Sequence, residues 1–220
     1  MATACAGPDR AWFPAVPAGT DAEILGTLAA RTAGLDSLQG IVAMAFDGPE
    51  LSGTFDLVVS YTRRPRRMRQ TAFKDIVVAS HDIFDLVLRP DGYAIVHRPP
   101  DAEAAEHRSG PLERFAADLP DLAGFWLAGE ALFLPGIGAE LSSARVLEHN
   151  AEAVLVETRL PHGPRVIWTL APKTLVVRRA AVLDDSGSRR VAMRYGDSRQ
   201  IGAFTFPGMV QMHDPVARVT

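Results

Sequence analysis

The chain has 220 residues, enough to bury a full core and ordinary for a single all-β barrel or sandwich. Its hydrophobic share of 47% suits a packed domain, and a net charge of −3 excludes the clustered basic surface that nucleic-acid binding needs. No run approaches the ~18 consecutive apolar residues of a membrane-spanning helix, and a lone cysteine, Cys5, excludes an internal disulfide.

Residues 1–19 read as a flexible tether, kept extended by Pro8, Pro14 and Pro17. Thr3 and Ala4 before Cys5 resemble the end of a bacterial lipobox, whose cysteine becomes acylated, although Ala2 stands where leucine is usual. The plain alternative is a cysteine in a disordered tail. Thr20 then caps a helix starting at Asp21, with Glu23 completing a capping box. Ile24, Leu25, Leu28 and Ala29 form its apolar stripe, and Gly34 ends it.

From Ser37 the apolar period changes to two. Strands are predicted over Leu38–Phe46, Gly53–Tyr61, Arg66–Phe73, Ile76–Ser80, Ile83–Leu88 and Tyr93–His97. The turns Asp47-Gly48-Pro49 and Arg89-Pro90-Asp91-Gly92 are tight, which implies an antiparallel meander. The basic run from Arg63 to Arg69 fits a solvated hairpin; an anionic lipid headgroup is the weaker reading. Pro99–Ser109 is polar and reads as a surface loop.

Gly110–Gly136 has helical spacing, with Gly110 as cap and Pro111 at the first helical position. Leu112, Phe115, Leu119, Leu122, Phe125 and Trp126 share one face, and Pro120 divides the run. It is either a core helix on a sheet or a lid over the open side of a curved one. Beyond Gly138 strands resume over Ala144–Glu148, Ala153–Leu160, Arg165–Leu170, Leu175–Leu183 and Arg189–Tyr195, and a last segment carries Phe204, Phe206, Met209, Val210 and Met212. About eleven strands with one helical insert at about 110–130 argue against a parallel α/β sheet. Residues 20–220 read as one mainly β (α+β) domain.

Catalytic motifs are absent: there is no G-x-S-x-G elbow, H-E-x-x-H, C-x-x-C pair, Walker loop or G-x-G-x-x-G. The six histidines have no metal-ligand spacing. Ser80, His81 and Asp82 supply the letters of a triad, but adjacent strand residues point to opposite faces and cannot relay a proton. Asp82 and Asp85 sit at a strand boundary and are expected to be exposed. The expectation is therefore a protein that is not an enzyme, uses no cofactor and binds no nucleic acid.

What remains is apolar surface. Phe55, Leu57, Val59 and Tyr61; Phe84, Leu86 and Leu88; Tyr93 and Ile95; Val154 and Val156; Val166, Trp168 and Leu170; and Val191, Met193 and Tyr195 each line one side of a strand. A strongly curved sheet would gather them, with Phe115, Leu119, Leu122, Phe125 and Trp126, around a cavity fit for an acyl chain. At ~0.8 kcal/mol per buried methylene, such a cavity binds tightly without a charged contact.

The order of elements adds a resemblance. A capped helix and a leading Leu38-Gln39-Gly40 strand precede a meander through GTFDLVVSY and DIFDLVLRPDGY, a helical insert and hairpins. The landmarks Pro172–Leu175, Asp184–Gly187, Tyr195–Asp197 and Phe206-Pro207 follow. From Asp21 onward this resembles the LolA/LolB-like superfamily of bacterial periplasmic lipoprotein carriers and receptors. The resemblance implies an incomplete antiparallel β-barrel with helices over a hydrophobic cavity, binding lipid or acylated lipoprotein as a monomer. It also implies a periplasmic location, with Cys5 anchoring the chain to the outer membrane as in the receptor branch. An envelope scaffold whose cavity is filled by its own side chains is the first alternative, and a lipid-ester hydrolase the second.

Overall fold

Alternation of apolar and polar residues sets strands along most of the chain. A computed structural model describes residues 19–47, 52–76, 79–97, 104–114, 140–159, 165–184, 186–201 and 204–213. The first element is helix α1 (Asp21–Ala33), opened by the predicted capping box: Glu23 accepts from the Thr20 backbone N–H at 2.6 Å, and the Thr20 hydroxyl accepts from the Glu23 N–H at 3.4 Å. Such a cap contributes about 1 kcal/mol.

Six strands follow: β1 (Ser37–Asp47), β2 (Ser52–Thr62), β3 (Arg67–Ile76), β4 (Ala79–Arg89), β5 (Gly92–His97) and β6 (Glu106–Gly110). A 3-10 turn at Leu112–Arg114 comes next. The second set is β7 (Glu140–His149), β8 (Val154–Arg159), β9 (Arg165–Leu170), β10 (Val177–Leu183), β11 (Arg189–Ile201) and β12 (Phe204–His213).

All twelve form one sheet in the order β6-β5-β4-β3-β2-β1-β12-β11-β10-β9-β8-β7. Each set of six is an antiparallel meander. They meet where β1 pairs β12 in parallel, from Ala43 opposite Met209 to Asp47 opposite His213. The sheet is curved and unclosed, with β6 and β7 as its edges. This is the expected incomplete barrel, but it is not antiparallel throughout. The chain leaves the sheet at one edge and re-enters at the other, so its last strand arrives beside its first. Successive antiparallel steps outward from that pair leave β6 and β7 running in the same sense. Residues 111–139 connect those two edges in the chain.

Four other expectations change. Glu106–Gly110 is a strand where a loop was predicted, because β5 offers a free edge whose hydrogen bonds a polar segment can satisfy. Gly110 ends that strand instead of capping a helix, while Leu112 just beyond is buried. Ile76–Ser80 is no separate strand: Ile76 pairs Ala79 at the closed end of the β3–β4 hairpin. Leu175 belongs to a turn, with a φ of 51°.

That turn ties α1 down. The Leu175 N–H donates to the Ala171 carbonyl at 2.7 Å, its side chain is buried, and its own carbonyl accepts from Arg31 at 3.3 Å. Burial lowers the Arg31 pKa from its ordinary value. A left-handed backbone costs a bulky residue roughly 1–3 kcal/mol, offset here by packing and the Arg31 contact. At the other meander Arg63, from the predicted basic hairpin, donates to the Thr32 and Ala33 carbonyls at 2.6 and 3.1 Å. It satisfies orphan carbonyls at the helix C-terminus.

The landmarks Tyr195–Asp197 and Phe206-Pro207 lie on the paired strands β11 and β12, offset along the ladder, with Tyr195 opposite Val210 and Ser198 opposite Pro207. Asp197 has a φ of 48°, and a Cβ at Gly208 would lie 2.7 Å from its carbonyl oxygen. Only glycine allows so close an approach.

Cys5 and residues 1–18 of the predicted tether lie outside the described residues. So do Phe115, Leu119, Leu122, Phe125 and Trp126.

Candidate binding face

The concave face is assembled from rows of side chains running across the ladder. In the first meander one row sets Val59, Gln70, Leu86 and Ile95 side by side; a second sets Leu57, Ala72 and Phe84; a third sets Tyr61, Met68, Leu88 and Tyr93. In the second meander Val156, Trp168, Ala180, Met193 and Met212 form a row through five strands. With Phe55 and Val154 these, apart from Gln70, belong to one apolar cluster, which α1 joins through Ile24 and Leu28. The predicted lining residues of both meanders are brought together and are between 0 and 6% exposed, except Tyr195. Tyr195 is half-buried against the cluster, its hydroxyl donating to the Met193 sulfur at 3.5 Å; burial of the phenol raises its pKa.

Two polar groups interrupt this surface. The Trp168 indole N–H donates to the Thr158 hydroxyl at 2.8 Å, so that pair is satisfied. Gln70 is not: its Nε2 donates to the Met68 sulfur at 3.2 Å, and its Oε1 is buried with no hydrogen-bond partner among the described residues. Exchanging the amide's O and N would leave the other end unpaired instead. In the same row, across Val59, stands Gly40. The alternation of Val42 and Met44 directs position 40 to the concave side, and a Cβ there would meet no atom of the described residues within 4 Å. There is room on this face beside its unsatisfied amide.

Sequence reasoning missed the β3 contribution of Met68, Gln70 and Ala72. The charges of Arg67 and Arg69 drew attention to the strand's other side. Yet their alternation with Met68 and Gln70 was the signal that the strand has a buried face.

The outer face follows different chemistry. Asp85 on β4 accepts from Arg69 Nε at 2.9 Å, from its NH2 group at 2.6 Å and from the Thr71 hydroxyl at 3.1 Å. The hydrogen bonds from Arg69 hold the Asp85 carboxyl below its ordinary value, and the same bond raises Arg69. Ser80, His81 and Asp82 share strand β4 with Asp85. Among the described residues, no three His, Cys, Asp or Glu residues come together as a metal site would require. No described helix is long and apolar enough to cross a membrane.

An open cavity of about 700 Å³ lies over β1, β12, β11, β10 and β9. Its walls come mainly from the outward residues of those strands, including Thr169, Arg179, Arg194, Gln211, Ile167 and His213, with small Ala45, Ala181 and Ala192 between them. Of the predicted lining residues only Met193 borders it.

Among solved structures the chain is similar to a LolA-superfamily protein from Nitrosomonas europaea, with a TM-score of 0.52 at 13% identity over 90% of this chain and 86% of that one. It is likewise similar to a DUF1329-family protein from Desulfovibrio piger, with a TM-score of 0.55 at 10% identity over 89% and 85% of the two chains. No family model and no curated protein matches the sequence. At such identities the shared property is the fold: this chain has a LolA-like open sheet.

Proposed function

We propose that this protein binds the acyl chains of lipids or lipoproteins on the concave face of its sheet, as a non-enzymatic carrier or receptor of the bacterial envelope. The observation that carries the reading is a predominantly apolar face, interrupted only by Gln70 and the Trp168–Thr158 pair among the described residues, on a sheet that does not close, with no described atom within 4 Å of a Cβ at Gly40. An unclosed sheet leaves its concave side accessible between two edges, and every methylene placed there leaves water at a gain of ~0.8 kcal/mol. The LolA-like fold agrees with this reading. Under it the described strands and residues 111–139 form a single domain, Cys5 attaches the chain to the outer membrane, and Phe115, Leu119, Leu122, Phe125 and Trp126 complete the lining.

The test combines mass spectrometry of purified protein for co-bound lipid with displacement of a fluorescent fatty acid. The expected result is bound lipid and saturable displacement, weakened at least tenfold by Gly40→Leu, which fills the open space without touching another element. Absence of both lipid and displacement would discard the carrier reading. That outcome would leave a scaffold whose concave face is filled by its own side chains, a second reading favoured by the near-zero exposure of Leu57, Val59, Val156 and Trp168.

A further inference from the structure

We infer that the outer-face cavity is a binding site for a phosphate group, held between Arg179 and Arg194. The two arginines are direct cross-strand partners on β10 and β11. Directly opposed residues have Cβ atoms about 5 Å apart, and like charges so placed repel and destabilise the ladder. Cross-strand arginines are normally relieved by a carboxylate in the next row. Here the same row continues to Thr169 on one side and Gln211 on the other, both neutral. Among the described residues, no ion pair engages Arg179 or Arg194. The nearby acids are already committed: Glu157 is held by Arg145 at 3.0 Å and Arg165 at 3.6 Å, and Asp184 by Arg190 at 2.9 Å.

The opposition is built in by local chemistry. The Asp184–Ser188 loop closes with the Asp184 N–H donating to the Ser188 carbonyl at 2.9 Å and the Ser188 N–H to the Asp184 carboxylate at 2.9 Å. A bulge between Val182 and Leu183 then sets the register that brings Arg179 opposite Arg194. Arg179 and Arg194 both line the 700 Å³ cavity, together with the small Ala45, Ala181 and Ala192 and with Arg189. Two planar donors with five N–H groups each, at a space lined by no acid among the described residues, are suited to an anion with several acceptor oxygens. A phosphate monoester, as a dianion, or a diester, as a monoanion, meets that description. The cavity has volume beyond one phosphate, so the group can come free in solution or as part of a lipid headgroup.

The experiment compares melting temperatures in phosphate and in chloride at equal ionic strength, and co-sedimentation with vesicles of phosphatidylglycerol and phosphatidylcholine against phosphatidylcholine alone. For the wild type, inorganic phosphate or glycerol phosphate at 100-fold over Kd should raise the melting temperature by about 5 °C or more. The double variant R179Q/R194Q should lose the rise, while R108Q, on a distant strand, keeps it. In chloride R194Q should melt no lower than wild type, because it removes a repulsion and no contact. If soluble phosphates do nothing but anionic vesicles bind and the double variant releases them, the source is a headgroup. A phosphate response that survives in R179Q/R194Q, or no binding of either source, overturns the assignment. Fatty-acid displacement should be unchanged in the double variant, so this site and the concave face can fail separately.

Discussion

On the concave face, side chains from both meanders pack with at most 6% exposure for the aliphatic, aromatic and sulfur-containing residues of the cluster. On the outer face of the same strands, charges either pair, as Arg69 with Asp85, or stand opposed, as Arg179 with Arg194. Backbone geometry is shared between the faces, so the difference lies in what each side chain exchanges for water. Inside, a change of volume is felt by many neighbours; outside, only a change of charge is. The two faces should therefore respond to substitution on different scales and through different variables.

The sharpest contrast is between adjacent residues of β9. Trp168→Ala removes the largest fully buried side chain among the described residues and its bond to Thr158, and should cost about 3–5 kcal/mol in urea unfolding. Thr169→Ala, one residue along and outward-facing, should stay within about 0.5 kcal/mol. Similar losses at both positions would dissolve the distinction between the faces.

A smaller effect of opposite sign is expected at Gln70. Replacing its unpaired buried amide by leucine should stabilise the ligand-free protein by about 1–2 kcal/mol, since the desolvation of an unmatched acceptor disappears. A Gln70→Leu protein that melts lower than wild type would mean that the amide is satisfied in solution.

The smallest effect belongs to Asp85. Its folded pKa lies below the ordinary carboxylate value, so the stability it contributes is present above that ordinary value and fades as pH falls through the folded one. On so exposed a pair the contribution is at most about 1 kcal/mol. Asp85→Asn should lower stability by that amount at neutral pH and flatten the acid limb of a stability–pH curve. An unchanged acid limb would remove Asp85 from the account.

Strand after strand of the concave face was legible because Phe55, Leu57, Val59 and Tyr61, or Val166, Trp168 and Leu170, repeat at two-residue spacing beside polar residues. β6 was not, because Glu106, His107, Arg108 and Ser109 carry no alternation and owe their conformation to the edge of β5. Nor was the parallel join: nothing local in Ala43–Asp47 or Met209–His213 tells the first strand that its neighbour is the last. The Arg179–Arg194 opposition was hidden for a related reason, since it follows from a register fixed by one loop and one bulge. Gln70 shows a further limit. Alternation marked its position as inward, but not that a buried row would hold an amide.

The parallel join of β1 to β12 also makes the molecule divisible. Each meander closes its own ladders through short hairpins, and the halves share backbone pairing along only the short register from Ala43 opposite Met209 to Asp47 opposite His213, supplemented by α1 where Arg31 reaches the Leu175 carbonyl. A chain interrupted within residues 115–139 keeps every partner of the twelve described strands. Two separately expressed pieces, the first carrying α1 to β6 and the second β7 to β12, then have a complete seam to recognise each other by. The fold is in this sense a pair of complementing fragments, and its rebuilt fluorescence or ligand uptake on mixing would report on the seam together with the α1 and apolar-cluster contacts that span it.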